Sequence, residues 1–285
     1  MLQCGKCFKE APDLAADKTA MTDIALRFEP PFARIVLNRP ERRNAISRAM
    51  WRALPAIRTA IESREDVLVA LVEGAGGHFS AGADISEFDT AYRDPSTARD
   101  YGDAVQDGLR AMIELDRPTI AVLRGNAVGG GLGLALACDL RFCAADAYLA
   151  VTPAKLGLVY GHAETRRLVE LVGPARAKDL LFTGRRIETE EALAIGLIDR
   201  RIETALQDTV MGYARGLADL SQASIRGGKR AVDAIASGMA FETPAYRALT
   251  ESAALGPDFA EGRAAFAQKR APRFSFRGPT APLKG

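Results

Sequence analysis

Two uninterrupted apolar runs, residues 67–72 and 119–123, each lead into a cluster of glycines, and this constrains the fold more than any other feature of the chain. A strand with one wet face alternates apolar and polar residues. A run without alternation fits a strand buried on both faces, as in a parallel sheet. The first run enters Gly74-Ala75-Gly76-Gly77. The second enters Gly125, and Gly129-Gly130-Gly131 then opens an apolar helical segment ending near Ala137. Leu140 to Ala144 supplies a further strand, so the order strand, helix, strand recurs. That order predicts an α/β core with right-handed crossovers.

Upstream, Ile24 to Phe28 and Ala33 to Leu37 flank Glu29-Pro30-Pro31 and read as a hairpin. Asn38-Arg39-Pro40 breaks the chain, and Ser47 is placed to cap a helix whose Met50, Leu54, Ile57 and Ile61 form an apolar stripe with Trp51 beside it. Pro55 is expected to kink that helix. After about Ala163, glycines and prolines punctuate helical segments and strands almost vanish. The expected organisation is a flexible extension over residues 1–20, a core over 21–204 and a helical C-terminal region over 205–285.

Composition excludes several classes of function. With 48% hydrophobic residues in 285, the chain can bury a large core. Its 38 basic and 36 acidic side chains leave a net charge of +2, too little for a field that would hold nucleic acid or anionic lipid. No apolar run approaches the ~20 residues of a membrane span, and the first residues lack a signal core, so a cytoplasmic protein is expected. Cys138 and Cys143 sit in apolar segments. Cys4 and Cys7, in a lone CGKC, lack a second ligand pair and read as incidental. No phosphate-loop pattern occurs, and Leu134 stands where a dinucleotide fingerprint needs its last glycine. Ser80 lies in His78-Phe79-Ser80-Ala81-Gly82, a nucleophile elbow with histidine in place of its first glycine.

Ligands of parallel sheets bind at the carboxyl ends of the strands, which places the two glycine-rich turns at the expected site. Glycine lets backbone amides approach a ligand, and a helix beginning at Gly129-Gly130-Gly131 directs unpaired N–H groups at whatever lies there. Two facing turns would hold one developing oxyanion, with roughly 3 kcal/mol from each donor. The competing reading is that these glycines only permit tight strand-to-helix packing.

Several segments, taken together and in order, carry a resemblance. His78 to Ile85, Gly125 to Gly131 and Cys138-Asp139-Leu140 resemble the signature segments of the crotonase (enoyl-CoA hydratase/isomerase) superfamily. Leu37-Asn38-Arg39-Pro40, Lys155 to Leu158, Leu181 to Gly184 and Glu261 to Phe266 extend the match over about residues 24–274. The resemblance implies an α/β fold, a spiral of ββα units with a helical trimerisation region, assembled as a homotrimer or a dimer of trimers. It implies an acyl-CoA substrate, with CoA arriving as part of the thioester and no separate cofactor or metal. The oxyanion hole falls on the N–H groups of Ala83 and Gly130. CoA contacts fall on Arg43, Ala45, Ala81, Asp84 and Ile85, and Lys269 is similar to a lysine that reaches CoA phosphate from a neighbouring subunit.

The chain also departs from that family. Its hydratases use two glutamates to add water, and the corresponding places here are Gly133 and the segment Pro153-Ala154. The nearest candidates for acid–base work are Glu164 and His162, in Tyr160-Gly161-His162-Ala163-Glu164; both also suit the start of a helix. Asp84 and Asp139 read as turn-ordering carboxylates. The expected activity is hydration or double-bond isomerisation through a thioester enolate. The alternatives are another reaction of the superfamily, such as hydrolysis or decarboxylation, or an acyl-CoA-binding scaffold without catalysis.

Overall fold

The computed structural model describes residues 23–278 and 283. The expected extension with Cys4 and Cys7 lies outside these residues. The hairpin forms as β1 (Ile24–Glu29) and β2 (Phe32–Leu37), antiparallel about Pro30 and Pro31. Next come α1 (Arg48–Glu62), β3 (Val69–Gly74), α2 (Phe88–Ala91), α3 (Pro95–Ile113) and β4 (Thr119–Leu123). The middle of the chain gives β5 (Asn126–Val128), α4 (Gly130–Leu136), β6 (Leu140–Ala144), β7 (Tyr148–Ala150) and α5 (His162–Thr183). It closes with β8 (Arg186–Glu188), α6 (Thr189–Ala194), β9 (Arg200–Ile202), α7 (Leu206–Ala218), α8 (Gln222–Ala236), α9 (Pro244–Ala254) and α10 (Pro257–Ala267).

The main sheet runs β1-β2-β3-β4-β6-β9, parallel from β2 onward. β3 and β4 lie at its centre and are almost wholly buried, as their unbroken apolar runs require. One face packs on α1, α3 and α4 through residues such as Ile35, Leu54, Val72 and Leu123; the other is covered by Leu206, Val210 and Ala214 of α7. A second sheet, β5-β7-β8, stands beside the first, and its three-residue strands are too short to show a period in sequence. Cys138 and Cys143 are buried, and burial pushes both thiols up to about 12, which keeps them protonated and unreactive. Among the described residues no helix is long and apolar enough to cross a membrane.

The Ser47 hydroxyl accepts from the Met50 N–H at 3.3 Å, and the expected stripe is buried. Helix α1 runs unbroken through Pro55. Proline removes the N–H that would bond the carbonyl four residues earlier, at Trp51. That carbonyl faces α3 at Gly108, where a Cβ would stand 2.8 Å from it and 3.2 Å from Leu54 Cδ1. The missing hydrogen bond is thus accommodated by a close helix–helix contact. Gly108→Ala is expected to cost about 1–3 kcal/mol by overpacking this contact; urea melts of the two proteins measure it, and an unchanged midpoint would contradict the account.

Candidate active site

A cavity of about 530 Å³ lies at the carboxyl end of the sheet, among α1, α3, the first turn of α4, the start of α5 and the loop at Ala81 to Ile85. Its walls are mainly apolar and aromatic, with Trp51, Phe88, Val105 and Leu158 among the lining residues.

The loop is built from buried hydrogen bonds. Ser80 is fully buried; its hydroxyl donates to the Asn44 carbonyl at 2.8 Å and accepts from the Gly82 N–H at 3.1 Å. A hydroxyl so occupied shapes the loop and is not placed for attack. Ser80 N–H donates to Asn126, Val128 N–H to Ser80, Ala81 N–H to Arg43, Ile46 N–H to Gly82 and Asp84 N–H to Ile46, all between 2.7 and 3.0 Å. Within this lattice the Ala83 N–H has no acceptor among the described residues, and neither has the Gly130 N–H in the first turn of α4. The two donors belong to segments in contact, since a Cβ on Gly130 would lie 3.6 Å from the Ala83 nitrogen. Gly131 makes that approach possible, because a Cβ there would stand 2.6 Å from Ser80 Cβ. The glycine triplet is thus explained by packing, and the packing is what leaves two N–H groups side by side.

Asp84 holds the loop from beneath. It is 6% exposed and accepts from Ser86 N–H at 3.1 Å and Ser86 hydroxyl at 2.6 Å, with Arg39 Nη2 at 2.8 Å and Arg42 Nη1 at 3.2 Å. Arg39 also donates to the Ala45 carbonyl at 2.9 Å. Burial works to raise the Asp84 carboxyl, but the Ser86 bonds and the Arg39 guanidinium outweigh it and hold the group below its ordinary value. Asp139 is likewise structural: one of its oxygens accepts from Thr119 N–H at 2.7 Å and pairs with Lys229 at 2.8 Å.

Glu164, in the first turn of α5, is 5% exposed and lines the cavity. Its Oε2 accepts from Gln106 Nε2 of α3 at 2.8 Å, and Gln106 Oε1 accepts from the Ala163 N–H at 2.9 Å. Oε1 of Glu164 has no donor among the described residues. A Cβ added to Gly133 would lie 2.9 Å from Glu164 Cγ. The Glu164 side chain therefore fills the space beside Gly133 that a side chain from α4 would enter. Tyr160 lines the same wall and donates to the Gly129 carbonyl at 2.7 Å; burial, and then the Glu164 charge, raise its phenol above the ordinary value. Arg167, the nearby cation, turns instead to the Leu136 carbonyl and Glu170.

Of the other anticipated residues, Ala81 and Ile85 line the cavity with Ala83 and Gly130. Arg43 is exposed beside Ala81, and Ala45 is half-buried behind the loop. His162 is exposed and does not line the cavity, although it is two residues from Glu164. Lys269 follows α10, away from this cavity. Gln106, Trp51 and Tyr101 were not anticipated as cavity residues. Gln106 meets Glu164 across 58 positions of sequence, so no local pattern marks it.

The stability supplied by Asp84 has a defined pH window. A carboxyl held below its ordinary value near 3.8 contributes fully above that pH, and the contribution is lost as pH falls through the depressed value. Asp84→Asn removes the buried carboxylate at 2.8 Å from Arg39, leaving it the Ala45 carbonyl and the more exposed Asp23 carboxylate at 3.4 Å, and is expected to cost about 3 kcal/mol at pH 7. The gap from wild type should close below about pH 4 in denaturant melts; a gap independent of pH would refute the ion-pair account.

The family model for enoyl-CoA hydratase/isomerase matches residues 28–277. Human enoyl-CoA hydratase domain-containing protein 2, mitochondrial, is 38% identical over 257 residues, covering 84% of each chain. The peroxisomal Delta(3,5)-Delta(2,4)-dienoyl-CoA isomerase of Arabidopsis thaliana is 29% identical over 254 residues, 85% of this chain and 91% of that one. The crystal structure of an enoyl-CoA hydratase/isomerase family protein from Hyphomonas neptunium superposes with a TM-score of 0.88 at 42% identity, covering 91% of this chain and all of that one. With a parallel α/β core and helical C-terminal segments in common with such structures, the chain belongs to the enoyl-CoA hydratase/isomerase (crotonase) family.

Proposed function

We propose that this protein isomerises the double bond of an enoyl-CoA thioester, with Glu164 as its single base. The observation that carries this reading is the Glu164 side chain filling the space beside Gly133, in a cavity that Ala83 and Gly130 also line. The thioester oxygen accepts from the N–H groups of Ala83 and Gly130, which stabilises negative charge on that oxygen. Glu164 takes a proton from the carbon next to the carbonyl of a 3-enoyl thioester, forming a dienolate. It then returns the proton two carbons further along, and the double bond moves into conjugation. No atom is gained or lost, and no metal is needed.

Among the described residues Glu164 is the only carboxylate lining the cavity. One base suffices for a proton shift, whereas adding water through a carboxylate pair needs two. That count favours isomerisation over hydration. CoA arrives with the substrate, its phosphates meeting the exposed Arg43 at the rim and Lys269 from a neighbouring subunit. Phe241, Leu255 and Phe266 are largely exposed on the C-terminal segments, and a homotrimer or dimer of trimers would cover them. A monomer's mass by light scattering would remove the oligomer.

For the reaction, 3-hexenoyl-CoA should be converted to 2-hexenoyl-CoA. Glu164→Gln should lower kcat by about 10²–10⁴-fold. Undiminished turnover in that variant would rule Glu164 out as the base. Hydration of 2-hexenoyl-CoA without any isomerisation would rule out the reaction itself.

A further inference from the structure

Among the described residues the Tyr160 hydroxyl bonds only the Gly129 carbonyl, to which it donates at 2.7 Å. That carbonyl and the Gly130 N–H belong to one planar trans peptide, so they point in opposite directions. Gly130 lines the cavity and its N–H has no acceptor among the described residues. Tyr160 therefore grips the far end of the unit whose near end is the unpaired donor.

The backbone here is free to turn. Gly129 stands at φ 51° and ψ −124°, a conformation that side chains disfavour, and the peptide that follows is flanked by glycine on both sides. With no Cβ at either flank, rotation of that peptide meets little steric resistance. Turned over, it would present the Gly129 oxygen to the cavity in place of the Gly130 N–H, an acceptor where negative charge is to form. The Gly133 N–H also bonds the Gly129 carbonyl, at 2.9 Å, but this is an end turn of α4, where helices fray. A carbonyl oxygen has two lone pairs, and the Tyr160 hydroxyl takes the second.

Tyr160 is itself well held. It is half-buried and packs against the main core, and the next residue, Gly161, caps α5. The segment that delivers Glu164 to the cavity thus also sets this hydroxyl. Burial, and then the Glu164 charge, keep the phenol protonated, so it remains a donor.

We infer that Tyr160 is a positioning residue of the oxyanion site: its hydroxyl holds the Gly129–Gly130 peptide with the N–H toward the thioester oxygen and strengthens that N–H as a donor. This rests on the oxyanion reading above and adds the group that fixes one of its donors. Hydrogen bonds in series polarise one another, by about 10–30% per bond, and hydroxyl, peptide and thioester oxygen form such a series.

Infrared difference spectra of bound hexanoyl-CoA, isotopically labelled at the thioester carbonyl, test this without turnover. Binding to the wild-type protein should move the carbonyl stretch to lower frequency. In Tyr160→Phe the ring still fills its place and the Gly133 N–H still bonds the Gly129 carbonyl, so hexanoyl-CoA should bind within about threefold of wild type. The carbonyl shift in that variant should nevertheless shrink by about 10–30% or more. An undiminished shift in Tyr160→Phe, or loss of all binding by it, overturns the inference and leaves the oxyanion site standing. If the wild-type protein binds no thioester, or binds one whose carbonyl does not shift, the oxyanion reading itself fails and takes this inference with it.

Discussion

The contact between the first turn of α4 and the segment Ser80 to Ala83 leaves no room for a side chain, and the rest of the site depends on it. Ser80 Cβ occupies the space a side chain at Gly131 would need, so the two backbones touch. Because the loop is also bonded to Asn44, Ile46, Asn126 and Val128, its position is settled before any ligand arrives. Two N–H groups are then left unpaired on neighbouring backbones. Donors fixed in advance stabilise charge without reorganising as it develops, which is the energetic basis of an oxyanion site.

Where the carboxylate comes from is a separate matter. Family hydratases are expected to present one from α4, at the place that is Gly133 here. In this protein the first turn of α5 delivers Glu164 into the same neighbourhood, and α3 holds it there through Gln106. The space beside Gly133 on one helix is filled by a side chain from its neighbour. The two unpaired N–H groups and the buried carboxylate thus lie on different elements.

Much of the fold was legible in the sequence, for physical reasons. Unbroken apolar runs foretold the buried parallel strands β3 and β4, and Ser47 with its stripe foretold α1. Strands β5, β7 and β8 were not legible because three residues carry no periodicity. Pro55 signalled an interruption, and only the packing against Gly108 shows how the helix tolerates it. The Ala83 and Gly130 positions followed from linked motifs. Glu164 and His162 were indistinguishable by sequence, since two residues along a helix point in different directions, and only the former faces the cavity. Trp51 read as core, and it is buried; that it also borders the cavity follows from tertiary packing alone.

The hydrogen bonds of Gln106 settle where a proton on Glu164 must reside. The Ala163 backbone N–H can only donate, so it fixes the amide oxygen of Gln106 on its side and turns the NH₂ toward Glu164. Oε2 then faces a group that can only donate to it, and an ionised or carbonyl-type oxygen accepts better than the oxygen of a C–OH. A proton taken up by Glu164 is accordingly directed to Oε1, the oxygen that has no protein donor. One amide, held by a backbone bond in the neighbouring helix, makes the two oxygens of a symmetric carboxylate inequivalent.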